Sequence, residues 1–406
     1  MSASRELCVE DFMTYKKMPA FTQPEPRGGL SEQTRVRFVR PELPPFENVT
    51  GVYEEAYENG SLTNGSLARR FEDAVAERLG VKHCIAVSSG TSALMLIYRA
   101  LDLRGEIVLP SFTFFATGHA ALWNHLRPVF ADCLPDTWNL DPADVARKIT
   151  PRTAAVVGVH IGGNPCNVAE LTDVCANAGA KLVFDAAHAF GSNYCGQPIG
   201  GGGDAEAFSL TPTKTLVCGE GGLVTTNDAV LARRVRAGRN YGDTGSYDPE
   251  LLGLNARFPE FNAAMGLAGL ALVDDKIRRH NEIAALYRQR LEAIPGIRLQ
   301  KITEHCTSTF KDFSIVVDPG ECGASRDDLA QALASEGVET RKYYSPAMHQ
   351  QKLYQDYAGP DASALPVSTR IADRVLSLPI YPSLEPDAIE RLIDLVERVV
   401  AKSLGE

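Results

Sequence analysis

Between residues 84 and 228 the chain alternates short apolar runs with stretches of helical spacing. The runs are CIAVSS (84–89), EIVLP (106–110), PVFAD (128–132), AAVVGVH (154–160), KLVFDAA (181–187), AEAFSL (205–210) and GGLVTTND (221–228). Most are continuously apolar, the signature of strands covered on both faces. Between the first five lie amphipathic segments such as Ala93, Leu94, Ile97, Ala100 and Leu101, spaced as one helix face. Strands separated by helices of this length require parallel crossovers. The pattern therefore predicts an α/β fold with a mostly parallel seven-stranded sheet and helices on both faces. The last two runs are joined by a loop with no room for a full crossover helix, so one of that pair is expected to run antiparallel.

After about residue 275 the pattern changes. A long helix fits Val273 to Ile294, stopped by Pro295 and Gly296. FKDFSIVVD (310–318) alternates Phe313, Ile315 and Val317, as a strand with one covered face does. Ile389, Leu392, Ile393, Val396, Val399 and Val400 form an amphipathic stripe near the end. These elements predict a smaller C-terminal α+β domain over residues 276–406, following a large domain over 46–275. Residues 1–45 are polar, proline-bearing and aperiodic, and read as an N-terminal arm or partly disordered segment.

Composition removes several function classes. The 406 residues suffice for two or three domains, and 44% hydrophobic with 23% charged residues is the balance of an ordinary soluble protein. A net charge of −10 argues against nucleic-acid and anionic-membrane partners, which need clustered Lys and Arg. No apolar run approaches the roughly 18 residues of a membrane span. The first 25 residues are charged and carry no apolar core, so they are not a signal peptide, and the chain reads as cytoplasmic. Nine cysteines without a C-x-x-C pair read as free thiols, mostly small buried hydrophobes. H-E-x-x-H, Walker A and strand-borne G-x-G-x-x-G patterns are missing, so metal, P-loop and dinucleotide chemistry are not expected.

In an open α/β sheet, ligands bind beyond the carboxyl ends of the strands. The first run delivers Ser88-Ser89-Gly90-Thr91 to a helix start, which is either a plain cap or a phosphate cradle of free N–H groups. The fifth delivers Asp185, either a cap for a following helix or the partner of a cationic ring nitrogen, with two alanines leaving room for a flat ring. Phe112, Phe114 and Phe115 fit either core packing or a stacking plate. His188 is either a satisfied polar residue or a hydrogen-bond donor to the same ligand. Lys214, in SLTPTKTLVCGEGG (209–222), stands among small, polar and glycine residues with no basic neighbour. It is a surface loop lysine or a reactive one. Cradle, carboxylate, aromatic and lysine together describe a pyridoxal 5′-phosphate site.

From about residue 45 to 400 the chain resembles the DegT-type nucleotide-sugar aminotransferases, a branch of the fold-type I pyridoxal phosphate enzymes. The matching blocks include NGSLARRFEDAVAERLGVKHCIAVSSGTSAL (64–94), VLPSFTFFATGHA (108–120), VFDAAHAFGS (183–192), FSLTPTKTLVCGEGGLVTTND (208–228), RNYG (239–242), GLNARFPEFNAAMGLAGL (253–270) and LSLPIYPSL (376–384). The resemblance implies that Lys214 is the Schiff-base lysine and Asp185 the partner of the pyridine nitrogen. It further implies that Phe114 stacks on the ring, that Gly90, Thr91 and Ser209 contact the phosphate, and that His188 lies near the ring hydroxyl. Asn240 matches an asparagine that reaches the phosphate of the other subunit, implying a homodimer with shared sites. YYSPAMH (343–349) matches a substrate-facing loop, which makes His349 a sugar contact. Many relatives carry Gln in place of His188 and His in place of Thr211. The DAAHAFG form looks closest to enzymes that aminate C4 of dTDP-4-keto-6-deoxyhexoses.

The expected reaction is transfer of an amino group from an amino acid, L-glutamate first, to a nucleotide-linked keto-deoxysugar, with pyridoxamine 5′-phosphate between the two halves. A cyclitol ketone as acceptor is an alternative within the same resemblance, and a non-catalytic binder of the cofactor is one outside it.

Overall fold

The central sheet is built from strands β1 (His83–Val87), β2 (Glu106–Pro110), β3 (Arg127–Ala131), β4 (Thr153–Val159) and β5 (Lys181–Asp185). A two-residue hairpin, β6 (Asn193–Tyr194) and β7 (Gln197–Pro198), precedes β8 (Ala205–Ser209) and β9 (Gly222–Thr226), which complete it. In this computed structural model, which describes residues 35–357 and 365–405, the strand order is β1-β9-β8-β5-β4-β2-β3. The pairings β2–β3, β2–β4, β4–β5 and β5–β8 are parallel, while β9 runs antiparallel to both β1 and β8. The expected antiparallel strand is therefore β9.

All residues of β2, β8 and β9 are buried. Alternation along β1 shows why: Ile85 and Val87 enter one apolar cluster with the Gly90–Ala100 helix, while Cys84 and Ala86 enter another with the Ser66–Leu79 helix. Both faces are roofed, so the runs carry no polar alternation. Of the thiols, Cys84, Cys133, Cys166, Cys175, Cys218 and Cys322 are buried and free.

Farther along, the Val273–Leu291 helix is followed by Pro295 and by Gly296 at φ +75°, three residues short of the expected end. Strands β10 (Ile297–Leu299), β12 (Phe313–Val317) and β13 (Val375–Leu378) form an antiparallel sheet, and β11 (Cys306–Thr307) pairs with β6. The Pro386–Leu404 helix lays Ile389, Leu392, Ile393, Val396 and Val400 into the cluster that also holds Ile315 and Leu376. This is the smaller α+β part. Most of the expected arm lies outside the described residues. Val36 and Phe38 are 4% and 6% exposed, and Val36 bridges Val338. No helix among the described residues is long and apolar enough to cross a membrane.

Candidate active site

The carboxyl ends of β1, β4, β5 and β8 share one sheet edge, and β9 begins there, with Gly222 opposite both Val87 and Ser209. Residues following these ends line a single cavity of about 320 Å³, among them Ser89, Gly90, Thr91, Phe114, Asp185, His188, Ser209 and Lys214.

Ser89 caps the Gly90–Ala100 helix. Ser92 N–H donates to Ser89 Oγ at 3.0 Å, and Ser89 N–H donates to Ser92 Oγ at 2.9 Å. The cap consumes the Ser92 donor and leaves the first-turn N–H groups of Gly90 and Thr91 without helical partners. Glycine is required at Gly222 on one side of this turn, and the packing is tight at Gly90 on the other. A Cβ on Gly222 would lie 2.4 Å from the Ser89 carbonyl carbon, and one on Gly90 would lie 3.0 Å from Ser209 Cβ. The result is a backbone cradle at a helix N-terminus, suited to an anion.

Asp185 is 7% exposed. Thr117 Oγ1 donates to its Oδ2 at 2.8 Å and Ala187 N–H to its Oδ1 at 3.1 Å. No helix follows it; the next element is the β6–β7 hairpin, which removes the helix-cap reading. Burial raises its carboxyl pKa, against the two hydrogen bonds and the charges of Lys214 and His160. A carboxyl raised in this way is one that a cationic ligand atom would stabilise in its ionised form.

Lys214 is half-buried in the β8–β9 loop, where its own N–H donates to Thr211 O at 3.0 Å. Enclosure brings its amine down to about 7, with the charge of Lys311 acting in the same direction and Asp312 and Asp185 opposing. A lysine near 7 is substantially neutral at physiological pH and therefore nucleophilic. The surface-lysine reading does not survive this setting.

His188 is 7% exposed, and its pKa lies well below the usual histidine range because of burial and the charges of Lys214 and Lys311. Gly162 N–H donates to its Nδ1 at 3.2 Å, so the neutral ring carries its proton on Nε2, which donates to Tyr344 Oη at 3.1 Å. The phenol keeps its own proton for a ligand. Phe114, 42% exposed, presents a ring to the cavity 5.8 Å from that of Tyr344.

One expected contact lies elsewhere. His349 is 4% exposed; its Nδ1 is 2.5 Å from Ser111 Oγ and its Nε2 3.2 Å from Thr369 Oγ1. Both ring nitrogens are engaged inside the protein, so the expected sugar contact gives way to a tie between the end of β2 and the Pro366–Arg374 helix. Tyr343 and Tyr344, on the same loop, line the cavity instead. Asn240, expected against the partner's phosphate, does not line this cavity. It follows the Ala229–Gly238 helix and accepts from Arg257 Nη1 at 3.1 Å.

Sequence reasoning also missed Thr117, Lys311 and Asp312. Lys311 Nζ donates to Asp312 Oδ1 at 2.6 Å, with both side chains under a tenth exposed. A charged pair directly before a half-covered strand was the available signal.

The cavity thus offers an anion cradle, a carboxylate in want of a cation, an exposed aromatic face and an amine near neutrality. That set fits pyridoxal 5′-phosphate, whose phosphate, pyridinium nitrogen, flat ring and aldehyde need these four groups in turn.

Comparison with known proteins agrees. The chain is 32% identical over 359 residues to the dTDP-4-amino-4,6-dideoxy-D-glucose transaminase of Escherichia coli, covering 88% of this chain and 96% of that one. It is 34% identical over 366 residues to the dTDP-3-amino-3,4,6-trideoxy-alpha-D-glucose transaminase of Streptomyces venezuelae, covering 87% and 95%. The crystal structure of DesI in the presence of its TDP-sugar product superposes with a TM-score of 0.86 at 39% identity, over 91% of this chain and 94% of DesI. The DegT/DnrJ/EryC1/StrS aminotransferase family matches residues 47–397. The chain belongs to that family and is an aminotransferase that works with pyridoxal 5′-phosphate.

Proposed function

We propose that this enzyme moves the amino group of L-glutamate to C4 of a dTDP-4-keto-6-deoxyhexose. The observation that carries the reaction type is the meeting of Lys214 and Asp185 in one cavity beneath the helix cradle. Support for the sugar comes from the relatives, which are named for dTDP-linked amino sugars. One of them is named for a 3-amino sugar, which favours C3 as the second reading.

When bound, the cofactor supplies an electron sink for the charge left as a proton departs the donor carbon. The protein's own residues do the rest. Gly90, Thr91 and Ser209 hold the phosphate, and Phe114 covers one face of the ring. Asp185, ionised once a cation faces it, keeps the ring nitrogen protonated. Lys214 would anchor the cofactor, and its amine, once released by the incoming donor and neutral at physiological pH, would serve as the base that takes the donor's α-proton. His188 orients Tyr344, whose free O–H meets the ring hydroxyl or the substrate.

The test is a set of keto-sugar nucleotides, 3-keto and 4-keto, plus a cyclitol ketone, each offered with L-glutamate and read by mass. Amination of a 4-keto dTDP-sugar above the others is expected. A preference for the 3-keto series moves the reaction to C3, and amination of the cyclitol alone overturns the sugar reading. Bleaching of the cofactor band by L-glutamate separates an enzyme from a mere binder.

The sites are proposed to be shared across a homodimer, with Asn240 reaching the partner's phosphate. Mixing inactive Lys214→Ala with inactive Asn240→Asp subunits then restores activity at up to roughly half of each heterodimer's sites, since one site carries both lesions and the other neither. If Asn240 serves its own subunit, every heterodimer site keeps a lesion, and no activity returns after subunit exchange has been verified by mass.

A further inference from the structure

We infer that Lys311 holds the α-carboxylate of the amino donor, an assignment that rests on the aminotransferase reaction proposed above. Lys214 and Lys311 are the two lysines lining the cavity, and no arginine lines it among the described residues. Lys214 is committed to the cofactor. An α-amino acid that brings its nitrogen to that point also brings a carboxylate into a largely enclosed space, where an unpaired charge is costly. Lys311 is the cation positioned to meet it. It is 7% exposed, bonded to Asp312 at 2.6 Å, and its Nζ lies 5.5 Å from the centre of the Tyr343 ring.

An ammonium has three N–H donors. Asp312 takes one and the Tyr343 ring face attracts the charge, which leaves donor capacity for an incoming oxygen. Asp312 Oδ2 is 3.9 Å from His188 Nδ1, so the pair belongs to the His188–Tyr344 group rather than to the Ser89–Gly90–Ser209 cradle. Lys311 is also near enough for its charge to act on the Lys214 amine. A cation so placed, tethered by its own aspartate, distinguishes an α-amino acid from a simple amine.

The test compares L-glutamate with 4-aminobutanoate, which is glutamate without its α-carboxylate, in the donor half-reaction followed by loss of the cofactor band. Lys311→Met is expected to lower kcat/KM for L-glutamate by about 10- to 100-fold, mainly through KM, and to leave 4-aminobutanoate nearly unmoved. Because methionine strands Asp312, the Lys311→Met/Asp312→Asn double variant is measured in parallel and should lose the same preference; Lys311→Arg should recover part of it. Calorimetry with 2-methyl-L-glutamate, which keeps the α-carboxylate but has no α-proton to lose, should show correspondingly weaker binding to both methionine variants. A common fall for both donors would mean that Lys311 supports Lys214 or the fold, and overturns the assignment. So does a preference that does not change, or a rise confined to the KM of the keto-sugar nucleotide. A wild-type enzyme that accepts nitrogen from no amino acid overturns the donor reading itself, which the variants cannot do.

Discussion

Lys214→Ala should abolish amino transfer, by at least about 10⁴-fold, while leaving the protein folded. The side chain lies in a loop and belongs to none of the apolar clusters, so its loss removes chemistry rather than packing. The variant should still bind preformed pyridoxamine 5′-phosphate through the cradle and Asp185. Thermal melting checks the fold, dialysis checks the cofactor, and normal turnover would overturn the assignment of Lys214. A pH profile adds a second test. An amine at about 7 is half neutral there, whereas an ordinary lysine near ~10.4 would be neutral at well under ~0.1%. Capture of pyridoxal 5′-phosphate by the apoprotein should therefore quicken as pH rises to about 7 and level off above it. A rate still climbing through pH ~9 would show that Lys214 titrates as an ordinary lysine.

How much of this was legible in the chain depends on how far each signal reaches. The buried strands were legible because both faces are roofed; AEAFSL exceeds the observed strand by one terminal residue and GGLVTTND by three. That one of the last two strands is antiparallel followed from the short Lys214 loop; that it is β9 did not. The strand order did not, since it is set by which faces pack over long sequence separations. In the cavity, residues at strand ends were legible because topology alone brings them to one edge. Lys311, Tyr343 and Tyr344 were not, because they arrive by other routes, on the approach to β12 and on an irregular loop; nor was Thr117, which reaches Asp185 from a helix. His349 shows the same limit in reverse. Its loop reaches the site, but two tyrosines take the lining positions while the histidine turns inward to Ser111 and Thr369.

Asp185→Asn should retain the cofactor and lose at least ~10²-fold in rate. The amide is nearly isosteric: its oxygen can accept from the Ala187 N–H while its NH2 donates to the Thr117 hydroxyl oxygen, so geometry is largely preserved while the charge goes. Without that charge the ring nitrogen is no longer held protonated, and the charge left as the donor carbon loses its proton meets a poorer sink. Activity within a few-fold of wild type would reduce Asp185 to a structural acceptor for Thr117 and Ala187. The apoprotein supplies a measurement independent of turnover. In the apoprotein burial raises the folded-state pKa of Asp185 above its unfolded value. A group shifted in that direction contributes stability that is fully present below the unfolded pKa of about 3.9 and lost as pH rises through the folded value. The wild-type apoprotein therefore loses stability as pH rises through that folded value, and the Asp185→Asn variant, which has no group to titrate there, does not. Removing the charge should make the apoprotein at least as stable as wild type at pH 7, and adding the cofactor should stabilise wild type more than the variant, because only the carboxylate gains a partner. An equal gain in Tm for the two proteins on cofactor binding would mean that Asp185 does not face the ring nitrogen.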